Sequence, residues 1–284
     1  MYAVAITHFY EEAITGAAID GEAQSVARDL GATVYEVRLL LSSGAPAVIL
    51  VTEDKEQAVR ALSQLRGRGH EAVACDAAAI TPSGAMPQLR HFRLTSDAVI
   101  RQDANGVDKD VLPYRSILAL VRATSRVATE MRTQESERKI AIATAVATGG
   151  LKLTKSVTRE LIAVKEDRSQ VLYLFRSDGE PPWLLREVGT DYTSLGENLA
   201  PTQIENFRRT IETIRENAQH AAYDESLIAA KKTGEQIRAI GATGKSVAVA
   251  AESGTDLLAH ILVIALGHRL EREAGLMDET PIPT

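Results

Sequence analysis

LGATVYEVRLLLSSGAPAVILVTEDKEQAVRALSQLRGRGHEAVACD, residues 30–76, packs two helix signals and two strand signals into one short stretch. Thr33 and Glu36 stand at capping-box spacing before an apolar run, where each side chain satisfies a free backbone donor of the first helical turn. PAVILVT, residues 46–52, is apolar and β-branched, the composition of a buried strand. Thr52 then stands as the cap of a further helix, with Glu53 and Asp54 at its positive end. Ala58, Val59, Leu62 and Leu65 form that helix's apolar face, and Gly67 or Gly69 stops it. EAVACD, residues 71–76, closes the unit as a strand. Working outward, YAVAIT (2–7) reads as a strand, and GEAQSVARDLG (21–31) places Ala23, Val26, Ala27 and Leu30 at helical spacing before Gly31. The order predicted for residues 1–84 is strand, helix, helix, strand, helix, strand.

That order and spacing, over about residues 3–76, resembles the C-terminal domain of the ribosomal stalk protein and the similar adaptor of the Clp protease. The resemblance implies a small docking module without catalysis. The stalk domain engages its partners through lysines on the paired helices; here the matching helix carries Tyr35, Val37 and Arg38, and only Arg38 is basic. The expected partner surface is therefore Tyr35, Arg38 and Leu39. The same residues also fit a helix-turn-helix with Gly31 in the turn. A DNA-reading helix needs basic or amide side chains facing the groove, and residues 35–41 offer Glu36, Arg38 and leucines on an acidic module.

Charge supports that choice. The chain of 284 residues has a net charge of -6, which disfavours general affinity for nucleic acid or anionic membrane. Residues 1–84 carry 6 basic and 11 acidic side chains, residues 85–220 carry 20 and 18, and residues 221–284 carry 6 and 9. Only the middle segment offers a basic face, for DNA or anionic lipid as an alternative function. Cys75 is the sole cysteine, so neither an internal disulfide nor a cysteine-based zinc site is expected. The amino-terminal residues lack a signal-peptide pattern and no apolar run approaches a membrane span, so the expectation is a cytoplasmic protein.

Beyond a linker at TPSGAMPQ (81–88), HFRLTSDAVIR (91–101) reads as strands around a turn, and DANGVDKD (103–110) carries the Asn-Gly hairpin signal. Residues 124–139 fit either a helix or an excursion, and KIAIATAVATGG (139–150) a strand. VTRELIAVK, QVLYLFR and PWLLREV read as a three-strand meander with turns at EDRS and SDGEPP. A helix follows, capped by Thr202 and Glu205, with Ile204, Phe207, Ile211 and Ile214 on one face. Residues 89–217 resemble a bacterial pleckstrin-homology-like domain, which implies a scaffold for binding or self-association. Trp183 is a candidate recognition aromatic, against a bland reading as core.

The tail, residues 221–284, reads as Ala-rich and helical. DESLIAAKKTGEQIRAI (224–240) reads as one helix. TDLLAHILVIALGHRLEREAG (255–275) reads as a second, capped by Thr255 or Asp256 and apolar nearly all round. Such a helix must be buried, either against the chain's own domains or in another subunit, and Leu258, Ile261, Leu262 and Leu266 are the expected self-association face of a homo-oligomer. AIGATGKS, residues 239–246, matches the loosest phosphate-loop pattern and makes Gly244, Lys245 and Ser246 alternative nucleotide-binding residues. A working loop needs a strand before it and a helix after it; the simpler reading is a glycine-broken connection between helices. No two of the six histidines have metal-ligand spacing with a nearby acid. The expectation is an α+β, non-catalytic interaction protein without cofactor or metal.

Overall fold

Residues 1–13, 16, 18–140, 154–229, 237–249 and 251–273 are described by the computed structural model of the chain. The fold is α+β. Strand β1 (Tyr2–His8), helices α1 (Ala18–Leu30) and α2 (Val34–Ser42), strand β2 (Ala47–Thr52), helix α3 (Lys55–Gly67) and strand β3 (Glu71–Asp76) follow in the predicted order. The α2 capping box is present, with Glu36 N–H donating to Thr33 Oγ1 at 3.2 Å. The cap of α3 is Asp54, which accepts from Glu56 and Gln57 N–H; Thr52 instead accepts from Asp54 N–H. The cap falls two residues after its expected place because a carboxylate closer to the turn competes for the same donors.

β1 pairs antiparallel with both β2 and β3. The sheet extends to five strands through β11 (Ile237–Gly241), parallel to β2, and β12 (Ser246–Val249), giving the order β12-β11-β2-β1-β3. The tail is thus not helical throughout. Within 224–240, Ser226–Ala229 is a short helix (α5), Ile237 begins a strand, and 230–236 lie outside the described residues. The strand is explained by burial on both faces: Ala239 enters one hydrophobic core and Ile240 another.

The middle of the chain holds β4 (His91–Leu94), β5 (Ala98–Gln102) and β6 (Asp108–Pro113) as one antiparallel sheet. A second sheet is built from β7 (Ile117–Ile140), β8 (Thr154–Arg176), β9 (Trp183–Arg186) and β10 (Ala222–Glu225), in the order β10-β7-β8-β9. Residues 124–140 are strand, and β8 runs unbroken through EDRS, so no turn divides it there. Of KIAIATAVATGG, residues 141–150 lie outside the described residues. Helix α4 (Gln203–Asn217) buries Phe207, Thr210, Ile211 and Ile214, whereas Ile204, in its first turn, is exposed.

The last helix, α6 (Ala251–Glu273), begins four residues before its expected cap, which places Asp256 inside it. Its surroundings explain its composition. Leu257, Leu258, Ala259, Ile261, Leu262 and Ala265 share one core with Ala3, Ala5, Val48 and Val73 of the first sheet and with Ala119, Val121, Ala123, Val171 and Tyr173 of the second. The opposite face of the first sheet, through Val4, Ile6 and Ile49, meets α1, α2 and α3. The opposite face of the second, through Leu120, Leu172 and Leu174, meets Phe92, Val99, Leu112 and α4. A helix between two sheets has no solvent face to keep polar over its packed length, so it is apolar all round.

Residues 1–125 and 169–284 consequently make one compact unit, and residues 126–168, the remaining lengths of β7 and β8, make a second. TPSGAMPQ is held rather than free: Ser83 and Met86 are buried, and Ser83 N–H donates to Asp256 Oδ2 at 2.7 Å.

Candidate docking surface

Helix α2 is apolar on two faces. Val37, Leu40 and Leu41 pack inward with Val26, Ala27 and Leu30 of α1. On the other side Val34 is 41%, Tyr35 71% and Leu39 43% exposed. Tyr35 and Leu39 are one helical turn apart, as are Val34 and Arg38, so these four make a continuous outer stripe. Arg38 Nε lies 3.1 Å from Asp20 Oδ1 of α1, an exposed pair that orients the guanidinium beside the apolar residues. The box at Thr33 fixes where the helix starts and hence which side chains face out. The Thr33 hydroxyl is also the main cause that holds the Glu36 carboxyl below its ordinary range.

The expected site residues divide sharply. Tyr35, Arg38 and Leu39 lie together at the surface. Trp183 does not join them: it is 1% exposed in the core with Leu89, Phe92 and Tyr192. Leu258, Ile261 and Leu262 are buried within the chain's own core and Leu266 packs against it, so the face read as self-associating is already packed between the five-stranded and four-stranded sheets.

The AIGATGKS segment is the hairpin joining β11 to β12, neither a phosphate loop nor a link between helices. Gly241 N–H donates to Lys245 O at 2.8 Å and Gly244 N–H to Gly241 O at 2.9 Å, which closes the turn. Gly244 has φ 75° and is pressed against the backbone between α1 and α2: a Cβ there would lie 2.1 Å from Gly31 O. Ser246 N–H, the kind of donor a phosphate would need, is taken by Glu36 Oε1 at 3.3 Å. A carboxylate at that point repels an anion, and the turn leads into a strand where a phosphate loop leads into a helix N-terminus. Lys245 and Ser246 are exposed.

His70 and Cys75 are built into the fold. His70 accepts Tyr10 N–H on Nδ1 at 3.0 Å, which leaves Nε2–H to donate to Glu22 Oε1 at 3.2 Å. Both ring nitrogens are thus engaged by partners within the fold. Burial is the main cause that pushes the Cys75 thiol up to about 11, so little nucleophilic thiolate forms near neutrality. No group of three His, Cys, Asp or Glu among the described residues is placed to hold a metal ion, and none of the described helices is long and apolar enough to cross a membrane. No family model, curated protein or solved structure matches the chain.

Leu39 was expected at the surface through the resemblance alone, since hydrophobic patterning treats all three leucines at 39–41 alike, and Val34 was not expected there. The cap position supplies the missing phase, because it counts the turns that bury Leu40 and expose Leu39.

Proposed function

We propose that this protein is a non-catalytic docking protein that engages another protein through the outer stripe of α2. The observation that carries this reading is the exposure of Val34, Tyr35 and Leu39 on a helix whose opposite face is fully used by the core. Tyrosine beside an aliphatic side chain and an arginine is the composition of an interface anchor, since large rigid side chains bury much area at small entropic cost. Self-association through the tail helix is set aside, because its apolar residues are packed internally. The resemblance to docking domains of the stalk and adaptor kind points the same way.

The test compares proteins captured from native lysate by the full chain and by a Tyr35→Ala, Leu39→Ser double variant. Both positions are exposed, so the variant should keep its stability to within about 0.5 kcal/mol. The expected outcome is that proteins captured specifically by the parent are depleted about tenfold or more with the variant. Identical capture by both chains would overturn the proposal.

A further inference from the structure

A cavity of about 270 Å³ lies where the first sheet, the β10–α5 corner and the C-terminal half of α6 meet. Its apolar lining comes from Pro46 of the loop before β2 and from Leu262 and Leu266 of α6. Besides Thr7 and Ser226, three ionisable residues line it from three different elements: His8 at the end of β1, Asp224 of β10, and Arg269 of α6. Opposite charges therefore line one cavity, yet no ion pair joins Asp224 to His8 or Arg269 among the described residues. Asp224 uses one oxygen, Oδ1, to accept Ser226 N–H at 2.9 Å and Ser226 Oγ–H at 2.6 Å. Its Oδ2 meets no protein donor among the described residues. Arg269 directs Nε, at 3.0 Å, and Nη2 to the single oxygen Glu71 Oε2, which holds the guanidinium in place and leaves Nη1 without an acceptor among the described residues.

We infer that this cavity binds a small zwitterion with an aliphatic body, the chemistry of a free apolar α-amino acid. Its ammonium is received by Asp224 Oδ2, its carboxylate by Arg269 Nη1 and His8, and its side chain by Leu262, Leu266 and Pro46. A ligand with one charge would meet only one of the two groups, whereas a zwitterion meets both Asp224 Oδ2 and Arg269 Nη1. The volume admits a molecule of about ten non-hydrogen atoms, below the range of drug-sized sites. The inference goes beyond the docking reading and is independent of it.

Isothermal titration of the full chain with L-leucine tests this, alongside 4-methylpentanoic acid, which lacks the ammonium, and 3-methylbutylamine, which lacks the carboxylate. Saturable heat with leucine is expected, with each single-charge analogue about tenfold or more weaker. Asp224→Asn should remove leucine's advantage over 4-methylpentanoic acid while leaving binding of the acid unchanged. Leu266→Trp, which fills the cavity, should abolish leucine binding, and the Tyr35→Ala, Leu39→Ser variant should bind leucine as the parent does. Absence of saturable heat with leucine to about 10 mM, equal affinity for all three compounds, or an unaffected Asp224→Asn protein would overturn the inference.

Discussion

Gly244 concentrates several constraints in one residue without a side chain. Its φ of 75° suits glycine, and the nearest atoms to an added Cβ would be backbone, Gly31 O at 2.1 Å and Gly31 C at 2.7 Å. Gly244→Ala therefore combines a left-handed backbone penalty with displacement of the α1–α2 turn, and should cost about 2 kcal/mol or more in denaturant unfolding. Gly84, where an added Cβ meets nothing within 4 Å, is the control and should tolerate alanine. His260 makes a different prediction. Burial is the main cause that lowers its pKa from 6.5, opposed by the hydrogen bond to Asp256 O and by the Asp256 charge. As pH falls through 6.5, the unfolded chain protonates this imidazole before the folded chain does. Stability is then lost progressively below the ordinary value and is unaffected above it. Denaturant midpoints measured from about pH 7 to pH 5 should show a shallower decline in His260→Gln than in the parent.

Among the elements, α6 is the one whose sequence says most about its burial and least about its neighbours. Leu257 to Leu266 contains no Asp, Glu, Lys or Arg and so must be enclosed, but an all-round apolar helix suits an oligomer interface as well as an internal layer. What distinguishes them is supplied by other elements. Ala3, Ala5, Ala119, Ala123 and Ala239 are small residues on sheet faces that allow a helix to approach from both sides, and their pairing across the fold is not local information. β11 was hidden for a related reason. Its Ala and Gly content carries little strand propensity, and parallel pairing with a distant strand, Ile240 with Leu50 of β2, decides its conformation. By contrast, β1 to β3 and α1 to α3 were legible because caps, glycine stops and alternation lie within each element. Tyr35, Arg38 and Leu39 were named through the resemblance to the stalk domain, whereas the exposure of Val34 beside them and the enclosure of α6 were not read from the sequence. Asp256 supports α6 from within: it accepts from Ser83 N–H and from Tyr173 Oη–H at 2.8 Å while only 2% exposed. Asp256→Ala removes the acceptor that these two groups share and should cost about 1–3 kcal/mol. Combined with Tyr173→Phe, the effects should be less than additive in a double-mutant cycle, since both changes break one hydrogen bond.

At the scale of the whole molecule, the consequence is that the three segments distinguished by composition are joined by a shared core. Residues from both sheets close on α6, and the segment at 81–88 is clamped to it through Ser83. This leaves the outer face of α2 as an apolar helix surface the core has not consumed, on which the docking proposal rests. It also means that the tail cannot be removed as a free association module: the surface that would be exposed includes Val48, Val73, Val121 and Val171. The most direct measurement is equilibrium unfolding of Ile261→Ala followed by fluorescence of Trp183, the only tryptophan, and by far-ultraviolet circular dichroism. Ile261 and Trp183 lie in different cores, on opposite sides of the second sheet. The account predicts that both transitions move together to lower denaturant, by about 2–5 kcal/mol in stability. A Trp183 transition that stays at the parent midpoint, while the dichroism separates into two steps, would contradict it.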